Sequence, residues 1–149
     1  MIKMKYLWLT ILVNILLFPW LITQWIPGLI GWAIFRKFEI YHNEDAGVFA
    51  ININKGYLFG NACFSCGPFI FTTPNCDDNT KRHETGHSVQ SLWFGPLFHF
   101  VVSFPSIILF WTRRIKNKDA KWYHTHWPEG GYKFTADDLG HVDVSKYGL

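Results

Sequence analysis

From Tyr6 to Phe35 the chain runs without a single charge, YLWLTILVNILLFPWLITQWIPGLIGWAIF, and no other feature restricts the fold so much. A helix rises 1.5 Å per residue, so about 20 apolar residues cross a bilayer. Lys3 and Lys5 ahead of the run fit the basic start of a signal peptide. The run is too long for one, however, and no A-x-A-like site follows it, which favours an uncleaved transmembrane anchor over residues 1–37. Pro19 and Pro27 are expected to kink or end this helix, and Trp20, Trp25 and Trp32 to mark the membrane interface.

A second apolar block, LWFGPLFHFVVSFPSIILFWT, covers residues 92–112. Gly95-Pro96 and Pro105 interrupt it, so it reads either as a kinked span or as two pieces that dip into the membrane and return. His99 inside it should be interfacial or packed against protein. Basic residues sit before the first block and after the second (Arg113, Arg114, Lys116, Lys118). The positive-inside rule then puts both termini in the cytoplasm and residues 38–91 outside, against the opposing vote of Arg36, Lys37, Lys81 and Arg82. A net charge of only +3 gives no reason to invoke nucleic acid.

Between the blocks, Gly47–Asn54, Tyr57–Phe64 and Pro68–Thr73 are rich in β-branched and aromatic residues, with turns at Lys55-Gly56 and Cys66-Gly67. They predict a small antiparallel β-meander. The polar stretch PNCDDNTKR offers several capping residues, and a helix should run from near Asn79 to Phe94. Cys63, Cys66 and Cys76 all lie in this region: a disulfide would leave one thiol free, and C-F-S-C lacks the second pair a structural zinc site needs. In the polar tail, residues 113–149, Pro128 to Gly131 reads as a loop and Thr135 to Gly140 as a helical turn closed by glycine.

The chemistry concentrates in RHETGHSVQS, residues 82–91. On a helix, His83 and His87 project from one face and can share a zinc ion, while Glu84 lies about 100° round, placed to act as general base on a metal-activated water. Gly86 leaves room for substrate or a neighbouring strand. Gln90 shares the histidine face and suits a role behind the ligands. A catalytic zinc wants a third protein ligand. The longer H-E-x-x-H-x-x-G-x-x-H form is excluded by Gln90 and Trp93, and no carboxylate occurs between His87 and Asp119. Candidates in the tail are His124, His126, Glu129, Asp137, Asp138 and His141, with Asp137 or Glu129 favoured and His124 and His126 read as surface residues; Glu44 and Asp45 remain if the ligand is nearer. A complete crossing by residues 92–112 would strand the tail across the lipid from His83. The competing reading is a non-catalytic membrane protein whose helix is structural or binds a partner.

The run GPFIF, then H-E-x-G-H-x-x-Q-S, G-P-L at Gly95, P-S at Pro105 and A-D-x-L-G at Ala136 resembles a family of small bacterial membrane proteins of uncharacterised function. The layout is more distantly similar to membrane-embedded zinc peptidases, whose histidine pair is completed by a distant aspartate. The resemblance implies a metallopeptidase-like site in a bacterial inner membrane, acting on a peptide or membrane-protein substrate. Family members carry an aromatic residue where this chain has Thr85, and a Glu-x-x-Ala-Asp segment where Gly-Gly separates Glu129 from Ala136-Asp137, so Asp137 transfers better as third ligand. The expectation is thus an α+β integral membrane protein: an anchor, 1–37, and a zincin-like metal-site region, 38–149, with Glu84 catalytic, His83, His87 and Asp137 (alternatively Glu129) on Zn²⁺, and Gln90 behind them.

Overall fold

The computed structural model describes residues 7–35, 40–41, 51–54 and 62–149. Helices dominate: α1 (Leu7–Phe35), α2 (Asp78–Phe94), α3 (Phe104–Ile115), α4 (Ala120–Tyr123) and α5 (Ala136–Leu139) accompany a sheet of four short strands. These are β1 (Ile40–Tyr41), β2 (Ile51–Asn54), β3 (Phe64–Cys66) and β4 (Phe69–Thr72), in the order β1-β2-β4-β3.

The sheet is not the meander the sequence predicts. β3 and β4 form an antiparallel hairpin that turns at Gly67 with φ +57, as expected, but β3 begins only at Phe64, where the predicted strand Tyr57–Phe64 ends, and β2 pairs with β4 in parallel. Burial explains the order. Phe69, Ile70, Phe71 and Thr72 are all buried, and a strand covered on both faces belongs inside a sheet, whereas β3 is partly exposed and takes an edge. Part of the middle predicted strand, residues 57–61, lies outside the described residues.

Helix α1 runs unbroken through Pro19 and Pro27, and among the described residues it is the one helix long and apolar enough to cross a membrane. One face carries Leu21, Gln24, Gly28 and Phe35, all buried. Gly28 and Gly31 let the rings of Phe69 and Phe71 lie against the helix backbone, and Phe35, Ile53, Phe69 and Phe71 form the core with Trp25 packed on it. The opposite face exposes Ile11, Ile15, Leu16, Ile22, Ile26 and Ile30.

The second apolar block does not continue straight. Helix α2 ends at Gly95, whose φ of +47 suits glycine, and whose missing side chain makes space for the Trp20 ring. A short 3-10 turn (Gly95–Leu97) and a π-helical turn (His99–Ser103) lead into α3, and the chain swings through 120°. The sequence left open a span or a return; the bend carries the tail back onto α2. Residues 78–91 and 120–147 touch directly, so the segment between them does not separate them, contrary to the orientation read from the basic residues.

Three of the prolines that should break these helices, Pro27, Pro96 and Pro105, are each matched by a donor from another element. A proline at position i leaves the carbonyl at i−4 without its hydrogen. Thr23, four before Pro27, accepts from His99 Nε2 at 3.0 Å; Leu92, four before Pro96, accepts from Trp20 Nε1 at 2.9 Å; Val101, four before Pro105, accepts from Trp127 Nε1 at 3.1 Å. Gln24 Nε2 donates to the carbonyl of Gly95 at the corner itself. In an apolar setting such carbonyls cost several kcal/mol unless re-satisfied, roughly the scale that would otherwise forbid the break.

Candidate metal centre

Helix α2 begins at Asp77, whose carboxylate accepts from the Thr80 backbone N–H at 2.8 Å, and its next turns carry the motif inward. His83, Glu84, Gly86, His87 and Gln90 are all buried. They are covered by the tail, which meets α2 mainly through α5. Gly86 allows this contact: a Cβ there would overlap the Ala136 carbonyl, so the room it provides is filled by α5 and not by substrate or a strand. Gly140 and Gly130 serve in the same way, against the Arg82 carbonyl and against the His124 carbonyl and Asp137 carboxylate.

Glu129 is fully buried, and its Oε2 lies 2.9 Å from His83 Nε2 and 3.2 Å from His87 Nε2. Asp137 occupies a different place. Its Oδ1 accepts from His83 Nδ1 at 2.7 Å and its Oδ2 from His124 Nδ1 at 2.8 Å, so it grips the far side of the ring. Glu129, the alternative candidate, thus faces the side that His83 and His87 share, while Asp137, the favoured one, lies between His83 and His124. The Gly-Gly insertion does not part them. Ala136 N–H bonds to Pro128 O and Asp137 N–H to Glu129 O, both at 2.9 Å, so the intervening residues loop out.

Gln90 ties helix and loop together. Its Oε1 accepts from His87 Nδ1 at 2.7 Å, fixing that ring, while its Nε2 donates to the carbonyls of Pro128 (3.1 Å) and Phe134 (2.9 Å) beside Glu129. Asn79 holds the end of the tail, exchanging hydrogen bonds with the Asp143 backbone at 3.1 and 2.8 Å. Tyr147 then stacks on His124 with ring centres 3.9 Å apart. His124 is thus buried, not a surface residue, because its partner Asp137 is contributed from thirteen residues further on. Among the described residues the side chains of Asp138, His126 and His141 stay out of the cluster: Asp138 accepts from the Phe134 N–H, the His126 ring bonds to Thr125 and the Trp122 carbonyl, and His141 is exposed. Glu44 and Asp45 lie outside the described residues.

Among the described residues two sets of buried groups could hold a metal ion, His83-His87-Glu129 and His83-His124-Asp137, each with donor atoms within 4.8 Å of one another. The first is the better cradle. In the second, each Asp137 oxygen already accepts from one imidazole. In the first, Glu129 Oε1 is buried with no hydrogen-bond partner among the described residues. A tetrahedral ion about 2.1 Å from its ligands holds them roughly 3.4 Å apart. The observed Nε2–Oε2 separations fall slightly inside that, as expected where hydrogen bonds stand in for ligand bonds.

No known protein family, curated protein or solved structure matches the chain.

Protons hold the metal-free cluster together. Burial pushes the His83 imidazole down, but its bonds to Asp137 and Glu129 outweigh that and leave it at about 10. His87 is also raised: burial opposes the charge, and the Glu129 carboxylate beside it wins. Burial pushes Glu129 up, and the His87 and His83 imidazoles more than reverse this, holding it well below the usual carboxylate range. An ion entering here must displace the two Nε2 protons.

His83, Glu84 and His87 form one wall of a cavity of about 390 Å³. The N-terminal half of β3 (Phe64, Ser65) lines another wall, and Phe98, Val102, Phe110 and Trp111 from the bent apolar segment line a third. Tyr123 closes the end. Its phenol is raised well above the ordinary tyrosine value by burial and by the nearby Glu129 carboxylate, so it stays a donor. Sequence reasoning did not single out Tyr123; one tyrosine in W-Y-H-T-H-W carries no signal before the tail is folded back.

Proposed function

We propose that the chain is a membrane-anchored, zinc-dependent peptidase, with His83, His87 and Glu129 as ligands and Glu84 as general base. One observation carries this reading: a histidine pair from one helix turn meets a buried carboxylate with an unpartnered oxygen, at the wall of a cavity that Glu84 shares. When bound, zinc supplies a Lewis acid that polarises a carbonyl and acidifies water. Glu84 accepts the proton from the attacking water and passes it to the leaving amine. Asp137 and Gln90 fix the two imidazoles through their Nδ1 atoms. Tyr123 offers a hydroxyl to the developing oxyanion. β3 is the edge of the sheet and lines the cavity, so an extended peptide can add to it as a further strand.

The exposed apolar face of α1 supports insertion in a bilayer, and the proposed setting is a bacterial inner membrane. The experiment is zinc analysis of the full chain in detergent micelles, paired with a peptide-hydrolysis assay. About one zinc per chain, lost in His83→Ala and His87→Ala, with Glu84→Gln keeping the ion and losing turnover, supports the reading. Hydrolysis that survives Glu84→Gln refutes the mechanism. The second reading, a structural lock, draws on the His83 pairing to both Asp137 and Glu129 without an ion, and predicts a chain that folds fully and takes up no zinc.

A further inference from the structure

The three thiols are free, but they are not equivalent. Cys63 lies immediately before β3 and Cys76 just beyond β4, so both sit at the same end of the hairpin, whose register pairs Phe64 with Phe71. A turn through Pro74-Asn75, closed by Cys76 N–H to Thr73 O at 3.0 Å, brings the Cys76 side chain back, and the two thiols are in hydrogen-bonding contact. Cys66 is at the far end of the hairpin, opposite Phe69, with its sulfur on the Gln24 carbonyl at 3.4 Å. Three residues of extended strand separate it from Cys63 by about 10 Å, beyond the roughly 4.4–6.8 Å span a disulfide bridges. The C-F-S-C spacing therefore marks no shared site.

We propose that Cys63 and Cys76 form a thiol–disulfide site that clamps the substrate-side strand to the entry of α2. Cys63 is half-buried and lines the same cavity as Glu84, whereas Cys76 is buried behind it. That places the first in reach of an incoming disulfide and the second in position to resolve. The Cys63 thiolate attacks one sulfur of a low-molecular-weight disulfide, forming a mixed disulfide and releasing one thiolate. Cys76 then loses its proton to water and attacks the Cys63 sulfur, releasing the second thiolate. Two protein thiols are oxidised to one disulfide, and the external disulfide is reduced to two thiols. The hydrogen bond from Cys76 also brings the Cys63 thiol down to about 7, which favours it as the attacking group. Closing the bond pins the start of β3, a wall of the cavity, to the turn that leads into the motif helix.

The test equilibrates the full chain in detergent micelles with oxidised and reduced glutathione at stepped ratios, traps free thiols with an alkylating agent, and maps the peptides by mass spectrometry. The expected result is one intramolecular Cys63–Cys76 link with Cys66 alkylated throughout, unchanged in Cys66→Ser. Cys76→Ser should stop at the glutathione adduct on Cys63. Links that involve Cys66, links only between chains, or a Cys63 that remains alkylatable at every ratio would overturn the proposal. If Cys76→Ser does not fold, the wild-type map alone decides between these results.

Discussion

Exchanging Glu129 and Asp137 between their two roles gives the sharpest test of the site. Both are buried carboxylates bonded to His83, yet one faces the shared Nε2 side and the other holds Nδ1. Structural zinc sites with four ligands bind with about 10–16 kcal/mol, or roughly 3 kcal/mol per ligand if shared evenly. At about 1.4 kcal/mol per decade, Glu129→Gln should weaken zinc by at least two decades. Asp137→Asn keeps a hydrogen-bond acceptor on His83 Nδ1 and should cost the 10–100-fold typical of groups behind the ligands, about 1.4–2.7 kcal/mol. The assay is competition against a chromogenic chelator at fixed pH, with the full chain in detergent and its fold checked by thermal melting. A folded Asp137→Asn chain that binds no zinc, beside a Glu129→Gln chain that binds normally, would refute the assignment and return Asp137 to the ligand set.

Gly86→Ala puts a methyl group into the Ala136 carbonyl; the overpacking should destabilise the fold by about 1–3 kcal/mol and lower zinc affinity as Asp137 shifts, read by thermal melting and chelator competition. Trp20→Phe leaves the Leu92 carbonyl without its donor at the corner and should lower stability by about 1–3 kcal/mol in bicelles, with zinc binding kept in the molecules that remain folded. In chelator, His83 holds its proton to about 10, against 6.5 when unfolded, so its contribution is complete below pH 6.5 and lost as pH rises toward 10, at most about 5 kcal/mol. Melting temperatures of the metal-free chain should fall across that window. Apparent zinc affinity should rise across it, since binding expels protons; a flat profile for both would show the imidazoles to be neutral.

The sequence made the motif helix, its cap and the glycine-closed turn of α5 readable, because each depends on residues within a few positions of itself. Asp77 caps through Thr80, and Thr135 caps through Asp138. Which carboxylate faces the shared side of the two histidines was not readable in that way. Glu129 and Asp137 reach the same histidine from opposite sides, and the backbone bonds between residues 128–129 and 136–137 help decide which oxygen arrives at Nε2. Strand order failed for a similar reason: the alternation of short apolar runs specifies strands, but which run is covered on both faces depends on α1 lying over Phe69 and Phe71.

The bend ties these observations together. An apolar block long enough to span would place the tail beyond the membrane, and a straight helix satisfies its own backbone, so nothing local forces it to turn. Prolines 96 and 105 free carbonyls that a lone helix cannot satisfy, and the donors come from both partners the bend creates: Trp20 and Gln24 of α1 on one side, Trp127 of the tail on the other. The last of these sits two residues before Glu129. The hydrogen bond that stabilises the second apolar segment in its turned course therefore also brings the carboxylate to His83 and His87. Trp127→Phe should then loosen the corner and the cluster together, whereas a corner independent of the metal centre would leave zinc affinity untouched.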